Sequence, residues 1–389
     1  MPNNKGKRRR FGAIRKLPSG RFQARYPGPD GVMRPAPQTF ETMGDADDWL
    51  AEQQVSIRRG AWTDPEAGKV NFEDYARKWV DERELAATTD ELYRRLLRLH
   101  ILPTFGELDL DEIVAPVVRT WRAERKAATG STTVAKSYRL LKAILETAVD
   151  DELIRRNPCR IKGAGKESAK ERSVATVAQV DALADAVGPR WRLMVYLAAY
   201  GPARPEEQAA MRRPDVVMEP LGVWVRTAEP ELTTGRRAPG DTKSTAGKRF
   251  ITLPAFLEKE VRRHLAWYTE KAPEGLLFVG ERGKPFRRST FGRKWRRARA
   301  AVGLPDDFRF YDLRHTGHTL STQSGATLKD TMVRAGQSSE KAAMIYQHSN
   351  HERQREVAAG IDARVRDERR KAQDRPGDQG SGMDLAHGD

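Results

Sequence analysis

The chain has 389 residues, more than one ordinary compact domain holds, and its hydrophobic fraction of 38% is modest but enough to build a core in each larger unit. A formal charge of +16 points to a polyanionic partner, nucleic acid first, because clustered Lys and Arg release counterions from it. The single cysteine, Cys159, excludes an internal disulfide and a Cys-based zinc site. The basic start around Lys5 to Arg10 is followed by no apolar stretch, and the longest apolar run, Leu193 to Tyr200, is far below the ~20 residues of a membrane helix. The expectation is a soluble cytoplasmic, nucleoid-associated protein with no membrane partner.

From about Arg10 to Phe40 the residues alternate in strand fashion, through Phe11, Ala13 and Ile14, then Phe22, Ala24 and Tyr26, then Val32 onward. Ser19-Gly20 and Pro27 to Gly31 punctuate them as turns, which predicts a three-stranded antiparallel sheet. Asp45 to Arg58 carries Ala46, Trp49, Leu50 and Val55 at helical spacing, so one helix covers one face of the sheet. The other face, fringed by Lys7 to Arg10, Arg15, Lys16, Arg21, Arg25 and Arg34, is left to meet phosphates or a groove. Gly60 to Lys69 reads as a linker.

Phe72 to about Asn157 is helical throughout. Phe72, Tyr75, Trp79 and Val80 begin it, Thr88 to Glu91 caps a second helix, Pro103 and Gly106 break the pattern, and a third helix runs from about Asp111 to Ala128. Gly130-Ser131 caps the last, which continues through Leu140, Leu141, Ile144, Leu145 and Val149, giving a small bundle. Pro158 to Ser173 reads as a mobile basic linker able to cross a DNA backbone. The third unit mixes helices near Val177 to Val187, Arg190 to Ala199, Phe256 to Tyr268 and Thr290 to Ala301 with strands at Val223 to Val225 and Phe250 to Leu253. Val357, Ala358, Ile361 and Val365 leave a late helix with an apolar stripe and no obvious local partner, and the polar end reads as disordered. The fold class is thus multidomain and mainly α with small β-sheets. The expected partition is 1–60, 71–160, 174–365 and a tail at 366–389.

No Walker loop, no GxGxxG after a strand and no metal-spaced His/Asp/Glu cluster occurs, so no cofactor and no metal are expected. Breaking a phosphodiester without a metal needs charge neutralisation on phosphoryl oxygens, a nucleophile and an acid for the leaving 5′ oxygen. Arginine suits the first task, because its planar fork donates two parallel hydrogen bonds and stays charged.

Four passages supply such groups: Gly201 to Glu207 around Arg204, Thr242 to Pro254 with Lys243, Asp312 to Thr316 around Arg314, and Ala335 to His348 with Tyr346. In that order they resemble the arginine boxes, the lysine hairpin and the nucleophile segment of the tyrosine recombinase, or phage-type integrase, family. The resemblance extends to residues 1–60 as an arm-type DNA-binding domain, 71–160 as a core-binding domain and 174–365 as a mixed α+β catalytic domain.

The resemblance implies a site-specific DNA recombinase that integrates or excises a mobile element. Arg204 and Arg314 would clamp the scissile phosphate, Tyr346 would attack it to form a 3′-phosphotyrosyl link, and Lys243, favoured over Lys248, would protonate the leaving oxygen. It implies double-stranded DNA with arm-type and core-type sites as partner, a homotetramer on two duplexes, and a host bending protein or excision factor as possible helpers. Two positions depart from the family's usual pattern: Tyr311 stands where histidine is usual and Gln337 where histidine or tryptophan is usual. Both can hydrogen-bond to phosphate, but neither is a good base near neutral pH. His315 and His348 are neighbouring substitutes in sequence, though a structural hydrogen-bonding role is the favoured reading of each, and Glu207 is expected to orient Arg204 or its helix rather than act on substrate. The alternative reading is a catalytically impaired relative that binds and organises DNA; a type IB topoisomerase and a transcription regulator are weaker rivals.

Overall fold

The computed structural model describes residues 10–62, 64–167, 172–238, 240–241, 247–338 and 351–373. The chain divides into two compact units, Met1–Ala169 and Lys170–Asp389.

In the first unit, β1 (Ala13–Lys16), β2 (Phe22–Pro27) and β3 (Met33–Pro35) form the expected antiparallel sheet, with Ala13 opposite Arg25 and Arg25 opposite Pro35. Gly20 and Gly31 turn the chain with positive φ, a conformation glycine adopts without steric cost. Strand alternation sends Ala24 and Tyr26 inward and Arg25 outward. Helix α1 (Met43–Arg58) starts before the expected Asp45, because Thr42 accepts from the Asp45 N–H and Asp45 answers onto the Thr42 N–H. It closes a small core of Ala24, Tyr26, Ala36, Phe40, Ala46 and Leu50, against which Trp49 packs. Val55 is not part of that face and is 44% exposed. Arg34 is not on the free basic fringe either: its guanidinium bonds Asp30 and Asp64 and lies over the Trp62 ring. Lys7 to Arg9 lie outside the described residues.

The helical part of this unit holds α2 (Phe72–Asp81), α3 (Ala87–Leu96), α4 (Leu102–Phe105), α5 (Ala115–Ala128) and α6 (Ser131–Asp150). Pro103 does not break the helix as expected. It sits in the first turn of α4, where its missing N–H is harmless, and α3 runs into α4 through a wide π-helical turn, Leu97–Ile101. Thr88 to Glu91 lie inside α3, whose N-cap is Ala86 with no side-chain bond. The core stacks Phe72, Phe105 and Trp121 edge to face, and the Trp121 indole N–H donates to the His100 carbonyl at 2.7 Å.

The second unit is built on α8 (Arg192–Ala199), whose residues from Leu193 to Ala199 are all buried, so the longest apolar run is a core helix. Around it lie α7 (Val177–Ala186), α9 (Pro205–Ala210), α10 (Glu258–Trp267) and α11 (Arg288–Ala301). A sheet of order β4 (Val216–Met218), β5 (Leu221–Val225) and β8 (Arg249–Thr252) sets Val223 opposite Ile251. Between β5 and β8 the chain makes a short ladder of β6 (Thr227–Ala228) and β7 (Gly240–Asp241). α12 (Asp312–Gln323) lies so close to α8 that a Cβ on Gly317 would meet the Ala199 carbonyl at 2.5 Å. α13 (Leu328–Ala335) follows, and α14 (His351–Gln373) continues past the expected tail boundary at 366. Its apolar residues Ile361 and Val365 are exposed. No helix among the described residues is long and apolar enough to cross a membrane, and no group of His, Cys, Asp and Glu among them has the arrangement of a metal site.

Candidate active site

The end of α13 organises the site. Gly336 takes the left-handed conformation (φ 59°, ψ 50°), so the N–H of Gln337 reaches back to the Met332 carbonyl at 2.9 Å and that of Gly336 to Val333 at 3.1 Å. This is a Schellman turn, and it satisfies two of the carbonyls that a helix end leaves open. The next three carbonyls in the chain each accept from an arginine. Arg249 Nε donates to Arg334 O at 2.9 Å, Arg314 Nη2 donates to Ala335 O, and Arg204 Nη2 donates to Gly336 O at 3.1 Å. The partial negative charge of a helix C-terminus favours cations at this place.

Arg314, in the first turn of α12, is 2% exposed. Its second fork nitrogen, Nη1, donates to Pro202 O, in the loop just before Arg204. Burial, with Arg204 close by, pushes its pKa down to about 10, so it remains charged at neutral pH. Arg204 is the N-cap of α9 and keeps part of its side chain exposed. Glu207, one turn on, accepts from its backbone N–H at 2.8 Å and from Nη1 at 2.5 Å. Burial works against charge on Arg204, but Glu207 outweighs it and holds the pKa above the ordinary value. Glu207 therefore orients Arg204, as expected.

Glu207 has a second partner that sequence reasoning missed. Arg249, buried at the start of β8, donates from Nη1 and Nη2 to the two Glu207 oxygens at 3.1 and 3.0 Å. Burial alone would raise the Glu207 pKa; Arg249, then Arg204, reverses this and holds it below the usual carboxylate range. A signal was present in the alternation of β8, which turns Arg249 inward with Ile251. Arg334 was missed too. It fastens α13 to the rest of the unit by donating to Thr252 O at 2.9 Å and Tyr200 O at 2.6 Å.

Of the six residues expected to form the site, Arg204 and Arg314 are brought together, and Gln337 lies at the same turn. Gln337 Oε1 is buried and accepts no hydrogen bond from the described residues. Tyr311 is the N-cap of α12 and is 41% exposed, with its ring edge-on to that of His315 at 5.8 Å between centroids. Burial lowers the His315 pKa despite Asp312 at 3.7 Å, which favours a neutral ring able to accept a proton. Lys243 and Tyr346 lie outside the described residues, as does His348; Lys248 is exposed.

The phage integrase N-terminal domain model matches residues 10–59 and the phage integrase family model residues 174–353. The chain is 38% identical to a putative prophage phiRv2 integrase of Mycobacterium tuberculosis over 91% of its own length and 96% of that protein. It is 33% identical to the integrase of Mycobacterium phage L5, over 91% and 98%. Among solved structures, a Tn1549 transposon integrase in complex with transposon right end DNA superposes with a TM-score of 0.64 at 19% identity, covering 75% of this chain and 99% of that one. A lambda integrase dimer bound to a COC′ core site gives 0.56 at 17% identity, covering 88% and 97%; both likenesses bear on the fold. With four motifs in family order, two arginines converged on one helix end and relatives matched over nearly their whole length, the chain belongs to the phage integrase family of tyrosine recombinases.

Proposed function

We propose that this site-specific recombinase breaks DNA by attack of the Tyr346 hydroxyl oxygen on a phosphate held by Arg204 and Arg314. The bond from phosphorus to the 5′ oxygen breaks as the 3′-phosphotyrosyl bond forms, and Lys243 supplies the proton to the leaving oxygen. The tyrosine proton passes to a neighbouring base, for which His315 is the described candidate. Tyr311 and Gln337 add hydrogen bonds to the phosphate. The covalent bond conserves the energy of the broken one, so the 5′ hydroxyl of a new strand can reverse the step and rejoin the DNA without ATP. That exchange integrates or excises a mobile element.

The observation that carries this reading is the convergence of Arg204 and Arg314 on adjacent carbonyls at the end of α13. On double-stranded DNA the arm-type sites fall to the sheet of residues 1–60 and the core-type sites to 71–160 and 174–365. The working assembly is a homotetramer, in the cytoplasm and on the nucleoid, with a host bending protein or excision factor setting direction. The test is a nicked suicide substrate carrying the cognate core site, incubated in EDTA. Wild type should form a covalent protein–DNA adduct and Tyr346→Phe none. Absence of adduct from wild type on its cognate site would overturn the reading in favour of an architectural DNA-binding role.

A further inference from the structure

Arg249 is buried, lies within the Lys243 passage without having been assigned a role there, and directs every one of its described bonds to a part of the site. Nε donates to the Arg334 carbonyl at the end of α13, Nη1 to the Gly247 carbonyl at 3.0 Å, and the fork Nη1/Nη2 grips both oxygens of Glu207. Glu207 in turn holds Arg204 through Nη1 and the backbone N–H. Arg249 stands six residues after Lys243 and opens β8.

We infer that Arg249 is a positioning residue for DNA cleavage: through Glu207 it fixes the pose of Arg204, and through its bond to the Gly247 carbonyl it ties its own stretch of chain, four residues after Lys243, to the same carboxylate. This rests on the recombinase chemistry proposed above. Glu207 offers two oxygens, and Arg204 Nη1 shares Oε1 with Arg249. With Arg249 in place, the carboxylate is locked from behind. Without it, Glu207 is a buried carboxylate whose strongest remaining cation is Arg204, which is then drawn onto it and away from a phosphate. A lysine keeps the charge but cannot make the two parallel bonds of the fork.

The experiment compares wild type, Arg249→Met, Arg249→Lys, Glu207→Gln and the double variant Glu207→Gln with Arg249→Met in the full chain. Three quantities are read: the rate of covalent adduct formation on saturating suicide DNA, affinity for the intact site, and thermal unfolding. Arg249→Met should slow adduct formation by about 10- to 100-fold, the range seen when a residue that orients a functional ligand is lost. Affinity should stay within about twofold, because an interaction made in the transition state lowers the rate and not binding. Arg249→Lys should remain slow while unfolding near the wild-type temperature, which separates positioning from folding and serves if Arg249→Met does not fold. In the Glu207→Gln background, Arg249→Met should cost less than about threefold, because residues acting through one partner are not additive. Wild-type rates in the Arg249 variants, a parallel loss of affinity, or additive effects would each overturn the inference while leaving the recombinase reading intact. If wild type itself forms no adduct, both fall.

Discussion

Arg204 and Arg314 donate to the adjacent carbonyls of Gly336 and Ala335, so residues from two distant boxes of the sequence meet on one turn of backbone. Their spacing is set by a peptide unit, which is planar and does not stretch. The spacing of the two guanidinium groups therefore depends on a glycine.

Gly336→Ala tests this. At φ 59° an added Cβ is strained, at a cost of ~1–2 kcal/mol, and the turn will shift to relieve it. We expect a lower urea midpoint with an unchanged slope, and slower adduct formation on suicide DNA. A variant as stable and as fast as wild type would show that the turn does not set the clamp.

Arg314→Lys should be far from conservative. One ammonium cannot satisfy both Pro202 O and Ala335 O in the geometry of the fork, and a buried carbonyl left open costs ~1–3 kcal/mol. On the proposed role of Arg314 as a donor to the phosphate, the change should slow cleavage by roughly 10²–10³-fold. Single-turnover adduct kinetics, alongside thermal unfolding, measure both effects.

Gln337→Ala should separate chemistry from stability in the opposite sense. Among the described residues the Gln337 Oε1 is buried without a hydrogen bond, so its removal breaks no such contact there and the unfolding temperature should hold. If the amide acts on the phosphate, adduct formation should fall by about tenfold or more. Equal loss of stability and rate would make Gln337 a packing residue.

Acid should unfold the second unit through its buried histidines. Burial lowers the pKa of His264 to about 4, even though its ring bonds the Leu277 carbonyl at 2.9 Å, and lowers that of His318 to about 3, with Arg314 adding to the shift. Both folded values lie below the ordinary 6.5. Between them the unfolded chain binds protons that the folded chain does not, so the stability present above pH ~6.5 is lost as pH falls toward the folded values. Each histidine contributes a slope of ~1.4 kcal/mol per pH unit in that window. Thermal unfolding from pH 7 to pH 4.5 should show it, and His264→Gln should flatten it.

Much of this was legible because it is local. The turns at Gly20 and Gly31, the run that became α8 and the two arginine boxes are written in adjacent residues or simple periods. What was not legible depends on distant partners. Arg34 reads as one more basic residue on a sheet face until Asp64 is beside it. Pro103 reads as a breaker until the π-helical turn widens to accommodate it. β4 is three residues long, too short for alternation to register. Arg249 could be read as part of a basic hairpin, and only its pairing with Glu207 on α9 reveals a buried role.

Three guanidinium groups gathered at one point repel one another, and in most proteins such a cluster would spread apart or attract a counterion. Here the repulsion is opposed within the fold, by the negative end of α13 and by the Glu207 carboxylate. The work of bringing the positive charges together is thus done when the chain folds. A phosphate held by Arg204 and Arg314 as proposed would meet dipoles already aligned, with little of its binding energy consumed in rearranging them.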